Sequence, residues 1–411
     1  MAREPGERRR LALSFAYFAL LLASYYLIRP VRDALAAGSG AASIKYLATA
    51  VFVAMLAIVP VFGWLVARVR RSLLVPCTYG FFALNLVVFA VLFRLDPDDV
   101  WTARVFYVWT TVFNLFVVSV FWSFMADIWR EEEGRRLFGV IAAGGSLGGI
   151  LGPLAARTLA GSVGTAGLTL IAAALLAATI VAIVLLGQER RGSAAAGAAR
   201  IEEPVGGAIL AGLSRLVVSP FLLGIAALVA LGSLLGMIVY IELAKAAASE
   251  FATAAARTAF YSERDLWVNG ASLVLQLLIV GPLAQRYGVR PLLAGTAGLA
   301  LAAFVGLAAA PVAGAVLWVN VLLRTTEFGI GKPNRDMLYT VVDAETKYKV
   351  KNVVDTVVYR GSDVLSGWVH AGLGALGLTL AGIAGVGAGV AAALVAIAWA
   401  VGSGYRRRGG A

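Results

Sequence analysis

Charged side chains are scarce in this chain, and those that interrupt its apolar runs carry whatever chemistry it does. Charge inside an apolar segment is costly, so each instance needs a partner or a ligand. Four regions stand out. Arg29, Arg32 and Asp33 close an apolar run around Pro30, which begins or kinks a helical turn carrying all three. Asp127 follows Phe121-Trp122-Ser123-Phe124, and Glu242 and Lys245 end another apolar run at a spacing that lets them meet on one helix face. The densest region holds Arg324, Glu327, Lys332, Arg335 and Asp336, then Lys347, Lys349, Lys351, Asp355, Arg360 and Asp363. Guanidinium and ammonium groups can hold an anion, and carboxylates can hold those cations in turn. Plainer readings exist for each. Arg29 can snorkel from a helix end, Asp127 can pair with the basic Gly134-Arg135-Arg136 loop, and Glu242 with Lys245 can be a private surface pair. Arg360 and Asp363 should face the protein interior, where they either pair with each other or serve a ligand.

Bond-breaking chemistry finds no support. The single His370 lies in an apolar run and reads as a packing residue, as does the single Cys77. No metal-ligand spacing or nucleophile constellation is present, so no metal, no cofactor and no enzyme is expected. Gly144-Gly145-Ser146-Leu147-Gly148-Gly149 through Gly152-Pro153 is not a nucleotide loop, because no Lys-Ser/Thr follows it. It should instead permit close helix approach and bending.

The elements that must position these charges follow from composition. Hydrophobic residues make up 60% of the 411, charged residues 14%, and the mean hydropathy is +0.86. Lipid must be the solvent for much of such a chain. Apolar runs of about twenty residues indicate helices rather than barrel strands. The fold class expected is an all-α membrane protein of about twelve transmembrane helices. They lie at 11–28, 44–67, 73–93, 103–126, 137–160, 168–186, 221–243, 266–283, 291–310, 312–330, 353–372 and 376–401. Arg8-Arg9-Arg10 precedes a retained first span rather than a cleaved leader. The net charge is +12, but about 24 of the Lys and Arg fall on one side when alternate loops are assigned to opposite faces. Topology therefore explains the charge without nucleic acid, and both termini are expected in the cytoplasm. Arg greatly outnumbers Lys amid abundant Ala and Gly, which points to a bacterial inner membrane; a monomer is expected.

The polar stretch 188–219 separates an N-terminal six-helix bundle (1–187) from a C-terminal one (220–411), and its end, 208–218, has the pattern of an amphipathic helix lying along the membrane. The halves repeat. Gly63 is followed by Arg68 after the second span, and Gly281 by Arg286 after the eighth, each with further Arg opening the next helix. These paired gating loops resemble those of the major facilitator superfamily, which implies two six-helix bundles around a central cavity.

A more specific resemblance lies in the charged strings. Lys332-Pro333-Asn334-Arg335-Asp336-Met337-Leu338-Tyr339-Thr340-Val341-Val342-Asp343, then alternating Lys347, Lys349 and Lys351, then Asp355 and Arg360, is similar to the ATP/ADP antiporters of plastids and intracellular bacteria. Their stretch runs Asp-Pro-Thr-Lys-Glu-Met-Ala-Tyr-Ile-Pro-Leu-Asp; Val341 stands where they have Pro. Arg29-x-x-Arg32-Asp33, Phe121-Trp122-x-Phe124 with Asp127, and Tyr240-x-Glu242-x-x-Lys245 resemble further motifs of the same family, in the same order. The resemblance implies that Arg32, Asp127, Glu242 and Arg335 handle nucleotide, with Lys245, Arg360 and Asp363 lining the same site and Arg29 and Asp33 gating it. It further implies an antiporter for an anionic, phosphorylated solute. On this reading Asp127, Glu242 and Asp363 would pair with Arg32, Arg335 and Arg360 when no solute is held. Two alternatives remain at this stage: a proton-coupled exporter of organic solutes, and a membrane scaffold or sensor with a transporter fold.

The topology is directly testable. A Cys placed at Ser193 should be modified by an impermeant thiol reagent only after sealed cells are opened; labelling from outside would invert the assignment.

Overall fold

The computed structural model describes the backbone of residues 5–69, 71–129, 131–192 and 209–409. Expectations placed on Ser193 and on the stretch 193–208 fall outside the described residues, whereas Gly63 lies within a helix. Every regular element described is helical. The helices are α1 Pro5–Gly38, α2 Ile44–Arg68, α3 Arg71–Leu95, α4 Val100–Ile128, α5 Glu131–Gly192, α6 Ile209–Val218, α7 Pro220–Glu250 and α8 Ala254–Val274. They continue with α9 Gly281–Tyr287, α10 Val289–Ala309, α11 Ala313–Thr326, α12 Lys332–Met337, α13 Ala344–Val353, α14 Tyr359–Ala375 and α15 Leu380–Arg407.

Among the described residues, nine helical stretches are long and apolar enough to cross a membrane. One of them, Arg136–Gln188, spans 53 residues and turns at Gly164, whose φ of 66° and ψ of −174° only glycine adopts readily. It therefore supplies the fifth and sixth passes. The tenth and eleventh passes are the charge-bearing rods 313–341 and 344–375, each assembled from shorter helices joined end to end. About twelve passes result. Gly377, at φ 78°, turns the chain between the eleventh and twelfth passes, the position that corresponds to Gly164 in the first half. The repeat seen in the basic loops thus extends to a second pair of turns.

The chain divides into two compact units. Unit 1 comprises 1–39, 53–204 and 247–266; unit 2 comprises 40–52, 205–246 and 267–411. In unit 1, α1 and α5 approach closely because Gly144, Gly148 and Gly152 share one face. A Cβ at Gly148 would collide with the Ala19 carbonyl and the Ala23 amide, and one at Gly152 with the Ala23 carbonyl and the Leu27 amide. Small residues at such spacing let backbones touch where lipid offers no hydrophobic drive. The helix continues through Pro153; the backbone departs from helical angles at Gly164. Behind this seam lies an aromatic core. The Tyr17 hydroxyl donates to that of Tyr79 at 2.6 Å, which donates to the Val117 carbonyl at 2.8 Å, and Phe18 stacks on Phe121. In unit 2, Gly387 admits the Phe304 ring and Gly402 the Arg290 backbone, seating α15 on α10.

Several boundaries differ from the sequence reading, most of them toward longer helices, although the twelfth pass begins at Leu380 rather than 376. The first pass runs to Gly38 rather than residue 28, with Pro30 inside it. The eighth begins at Ala254 rather than 266, and the eleventh at Ala344 rather than 353. Polar residues look like loop in a linear scan, yet a helix keeps its own backbone hydrogen bonds wherever the membrane boundary falls. Three π-helical turns, Leu275–Val280, Glu327–Gly331 and Val354–Val358, interrupt the rods of unit 2. The Gln276 side chain donates to the Phe328 carbonyl at 3.0 Å, joining the first two of these turns. Cys77 is exposed on α3 rather than packed. Asp99 and Asp343 cap α4 and α13, each accepting backbone N–H groups.

The glycine seam predicts a sharp contrast. Gly148→Val should destabilise the purified protein by about 1–3 kcal/mol or more, since backbone must move. Gly139→Ala, where a Cβ meets nothing within 4 Å, should leave the melting temperature near that of wild type.

Candidate functional site

Unit 1 gathers its charges where α1, α4 and the start of α8 meet. Arg32 donates to Asp33 Oδ1 through Nε at 3.0 Å and Nη2 at 2.7 Å, and to the Thr111 hydroxyl at 3.4 Å. Its guanidinium lies 5.0 Å above the Tyr107 ring. The other oxygen of Asp33 accepts from Arg264 Nη2 at 2.8 Å. Arg264 also donates to Asp265 Oδ1 at 2.7 and 3.0 Å and lies over the Tyr261 ring. Arg29 completes the group, its Nε 3.7 Å from Asp265 Oδ2. Asp33, Arg264 and Asp265 are 1%, 3% and 0% exposed, so no water screens them. Three guanidiniums face two carboxylates. Among the described residues the Tyr261 hydroxyl and Asp265 Oδ2 have no hydrogen-bond partner, although Arg29 faces that oxygen as an ion-pair partner.

The sequence reading grouped Arg29, Arg32 and Asp33 on one helical turn and left Arg29 free to snorkel; Arg29 is buried instead. It missed Arg264 and Asp265, which it assigned to a loop. The available signal was Glu263-Arg264-Asp265 continuing without a helix breaker into Leu266-Trp267-Val268. It also set Asp127 among the carboxylates that would pair, as a group, with Arg32, Arg335 and Arg360, and the structure places it away from Arg32. The Tyr107 ring lies against Arg32, and Asp127 is twenty residues farther along α4, roughly 30 Å at helical rise. Asp127 sits half-buried at the opposite end of the helix. At that end α1 meets the start of α5, where Arg136 pairs with Glu7 and the Trp129 indole donates to Ser14.

Unit 2 arranges its charges in three stations along the rods. At the first, Glu242 Oε1 accepts from Lys245 Nζ at 2.7 Å and lies 2.6 Å from His370 Nε2. Glu242 and His370 are 7% and 5% exposed. His370 is therefore a polar partner from α14 rather than a packing residue, and Glu242 is more than half of a surface pair. At the second, Asp363 accepts from Ser233 and pairs with Arg360 at 3.4 Å. At the third, Arg335 Nη1 donates to Glu327 Oε1 at 2.8 Å, and Lys351 reaches Asp336 at 2.6 Å. Arg335 thus pairs with Glu327, eight residues before it, and not with Glu242. The 327–331 π turn lies between them and turns both toward one side. Arg324 has no ion-pair partner among the described residues and bears electrostatically on both Tyr359 and Asp363. The loop residues expected to gate behave modestly. Arg286 lies over Tyr287, Gly281 opens α9, and Arg68 is exposed at the end of α2.

Chemically these groups can hold and exchange an anion; among the described residues no cluster could ligate a metal. The unit 1 network also carries a stability prediction. Removing one member of a buried ion cluster strands its partners, at a cost of about 3–5 kcal/mol. Arg264→Gln should lower the melting temperature clearly, and Arg264→Lys should recover little, because an ammonium cannot bridge Asp33 and Asp265 with a planar fork. Wild-type melting in Arg264→Gln would show that the cluster does not tie the helices together.

The chain matches the Major Facilitator Superfamily profile over residues 5–332. No curated protein matches it. Among solved structures it is similar to the POT family transporter PepTSo, with a TM-score of 0.66 at 11% identity, covering 97% of this chain and 98% of that one. It is also similar to a bacterial homologue of the iron transporter ferroportin, in its inward-facing state (TM-score 0.64, 13% identity, 96% and 98% covered). The nucleoside transporter NupG gives a TM-score of 0.60 at 14% identity, with 97% and 98% covered. At these identities the likeness is one of fold. Together with nine long apolar helical stretches among the described residues, the profile match establishes that this chain belongs to the Major Facilitator Superfamily and is a membrane transporter, not an enzyme.

Proposed function

We propose that the chain is an antiporter that exchanges an anionic, phosphorylated solute by alternating access, with nucleotides such as ATP and ADP the first candidates. The observation that carries this reading is the pairing pattern. Arg32 is clasped by Asp33, Arg335 by Glu327, Arg360 by Asp363 and Lys245 by Glu242. An arriving phosphate competes with a carboxylate for the same guanidinium, so binding exchanges one partner for another. Reorientation without solute would return the carboxylates to their cations and leave nothing carried, which favours exchange over net flux. The Arg335–Glu327 pair suits this best. Arg335 is 14% exposed while Glu327 is 42% exposed, so the carboxylate can swing into water and leave a fixed guanidinium behind.

The resemblance of the 332–360 region to the ATP/ADP antiporters supports nucleotide as the solute. In this reading halves 1–187 and 220–411, joined by the linker 188–219, rock about the solute in a bacterial cytoplasmic membrane, with both termini in the cytoplasm. A second reading, proton-coupled export of an organic solute, has its own support in the buried Glu242–His370 contact, a carboxylate and an imidazole able to share a proton.

Reconstituted liposomes separate these readings. Counterflow of labelled ATP against internal ADP should persist when an ionophore collapses the proton gradient, and should fall steeply in Arg335→Gln with little change in melting temperature. Arg335→Lys should restore part of the flux if charge suffices, and little if the solute needs a bidentate contact. Wild-type exchange in Arg335→Gln would remove Arg335 from the site, and flux that stops with the gradient would favour proton coupling.

A further inference from the structure

Where α7 begins and α15 ends, unit 2 carries a cavity of about 550 Å³ that none of the charge clusters above uses. Ser214, Arg215, Ser219, Asp343, Thr346 and Arg408 form its polar wall. Its position along the membrane normal follows from the chain. It is built from the ends of membrane-crossing helices and from α6, which is separated from α7 by Ser219 alone. Such a site lies at the level of lipid headgroups.

Among the described residues the wall holds two guanidiniums and one carboxylate, Asp343, which lies within electrostatic reach of Arg215. Asp343 Oδ1 accepts the Thr346 N–H at 2.9 Å and caps α13; this bond holds its carboxyl below the usual carboxylate range. Arg215 donates to the Thr346 hydroxyl at 2.8 Å. Arg408 donates to the Gly404 carbonyl at 3.2 Å and lies 4.5 Å over the Phe221 ring; it has no ion-pair partner among the described residues. Beside the cavity, α6 seats Leu216 inward at 3% exposure while Leu213, Val217 and Val218 stand 42%, 60% and 82% exposed. Val218 itself lines the cavity. A cationic pocket with hydroxyl donors, edged by bare branched aliphatic side chains at the membrane boundary, matches one kind of molecule.

We propose that this cavity binds an anionic phospholipid. Arg215 and Arg408 hold the headgroup phosphate, the Ser214 and Ser219 hydroxyls donate to it, and an acyl chain covers Leu213, Val217 and Val218. A soluble phosphate would meet the same guanidiniums but would leave those aliphatic side chains uncovered. The site is independent of the transport reading, and its test measures no flux.

The purified full-length chain, delipidated in neutral detergent, is titrated with phosphatidylglycerol, with phosphatidylcholine or with inorganic phosphate. Retained lipid is counted by native mass spectrometry and the melting temperature is followed. Phosphatidylglycerol should be retained and should raise the melting temperature; the other two should do so weakly. The Arg215→Gln, Arg408→Gln double variant should lose phosphatidylglycerol affinity by about tenfold or more, since two charge-assisted contacts go. Arg406→Gln with Arg407→Gln removes the same charge outside the cavity and should retain the lipid. Val218→Asp, at an exposed position that folding does not need, should weaken retention by charging the surface under the acyl chain, and Val218→Leu should not. Undiminished retention in the Arg215/Arg408 variant, an equal loss in the Arg406/Arg407 variant, or equal stabilisation by inorganic phosphate would each overturn the proposal.

Discussion

Asp33 is one carboxylate shared between two guanidiniums, and the arrangement of unit 1 rests on it. A charge this deep in a membrane protein persists only when it is matched, because neither water nor lipid will solvate it. Arg32 occupies one oxygen from the same helix and Arg264 the other from α8. This fixes the first half of α8 beside α1 and α4, although Asp33 and Arg264 are 231 residues apart in the chain. Such clusters contribute little net stability when complete and cost heavily when broken. Their value is specificity. Only one register of α1 against α8 satisfies Asp33 and Asp265 together.

The glycine face of α5 makes that register attainable. Side chains at 144, 148 and 152 would hold α1 away; without them the two backbones touch, and van der Waals contact replaces the hydrophobic drive that lipid withholds. Aromatic rings fill the space on the other side of α1. Packing and charge therefore agree on one placement of α1.

Unit 2 meets a different demand. Its charges are spread along the rods, each with a nearby carboxylate and several at least partly exposed. π turns lie close to Glu327 and Asp355, where an extra residue per turn re-aims side chains without breaking the helix. Arg264 is 3% exposed within its cluster, whereas Glu327 of the Arg335–Glu327 pair is 42% exposed.

Sequence alone determined the solvent, the helices and their number. Backbone polar groups in lipid admit few structures, and an apolar run of about twenty residues announces one of them. It also marked Arg360 and Asp363 as interior, because charge there is too costly to be idle, and it read the glycine run of α5 as a contact surface. Partnership was another matter. Nothing in the order of residues says that Arg264 reaches Asp33 or that His370 reaches Glu242, since these contacts cross 231 and 128 residues. The π turn that lies between Glu327 and Arg335 is a shift of one hydrogen-bond register that leaves no mark in composition. The ends of the helices were equally hidden, because a polar residue at a membrane boundary looks the same in a loop as in a helix. Which charge meets which is decided by tertiary structure, since a pair forms only where two backbones bring opposite charges within about 3–4 Å.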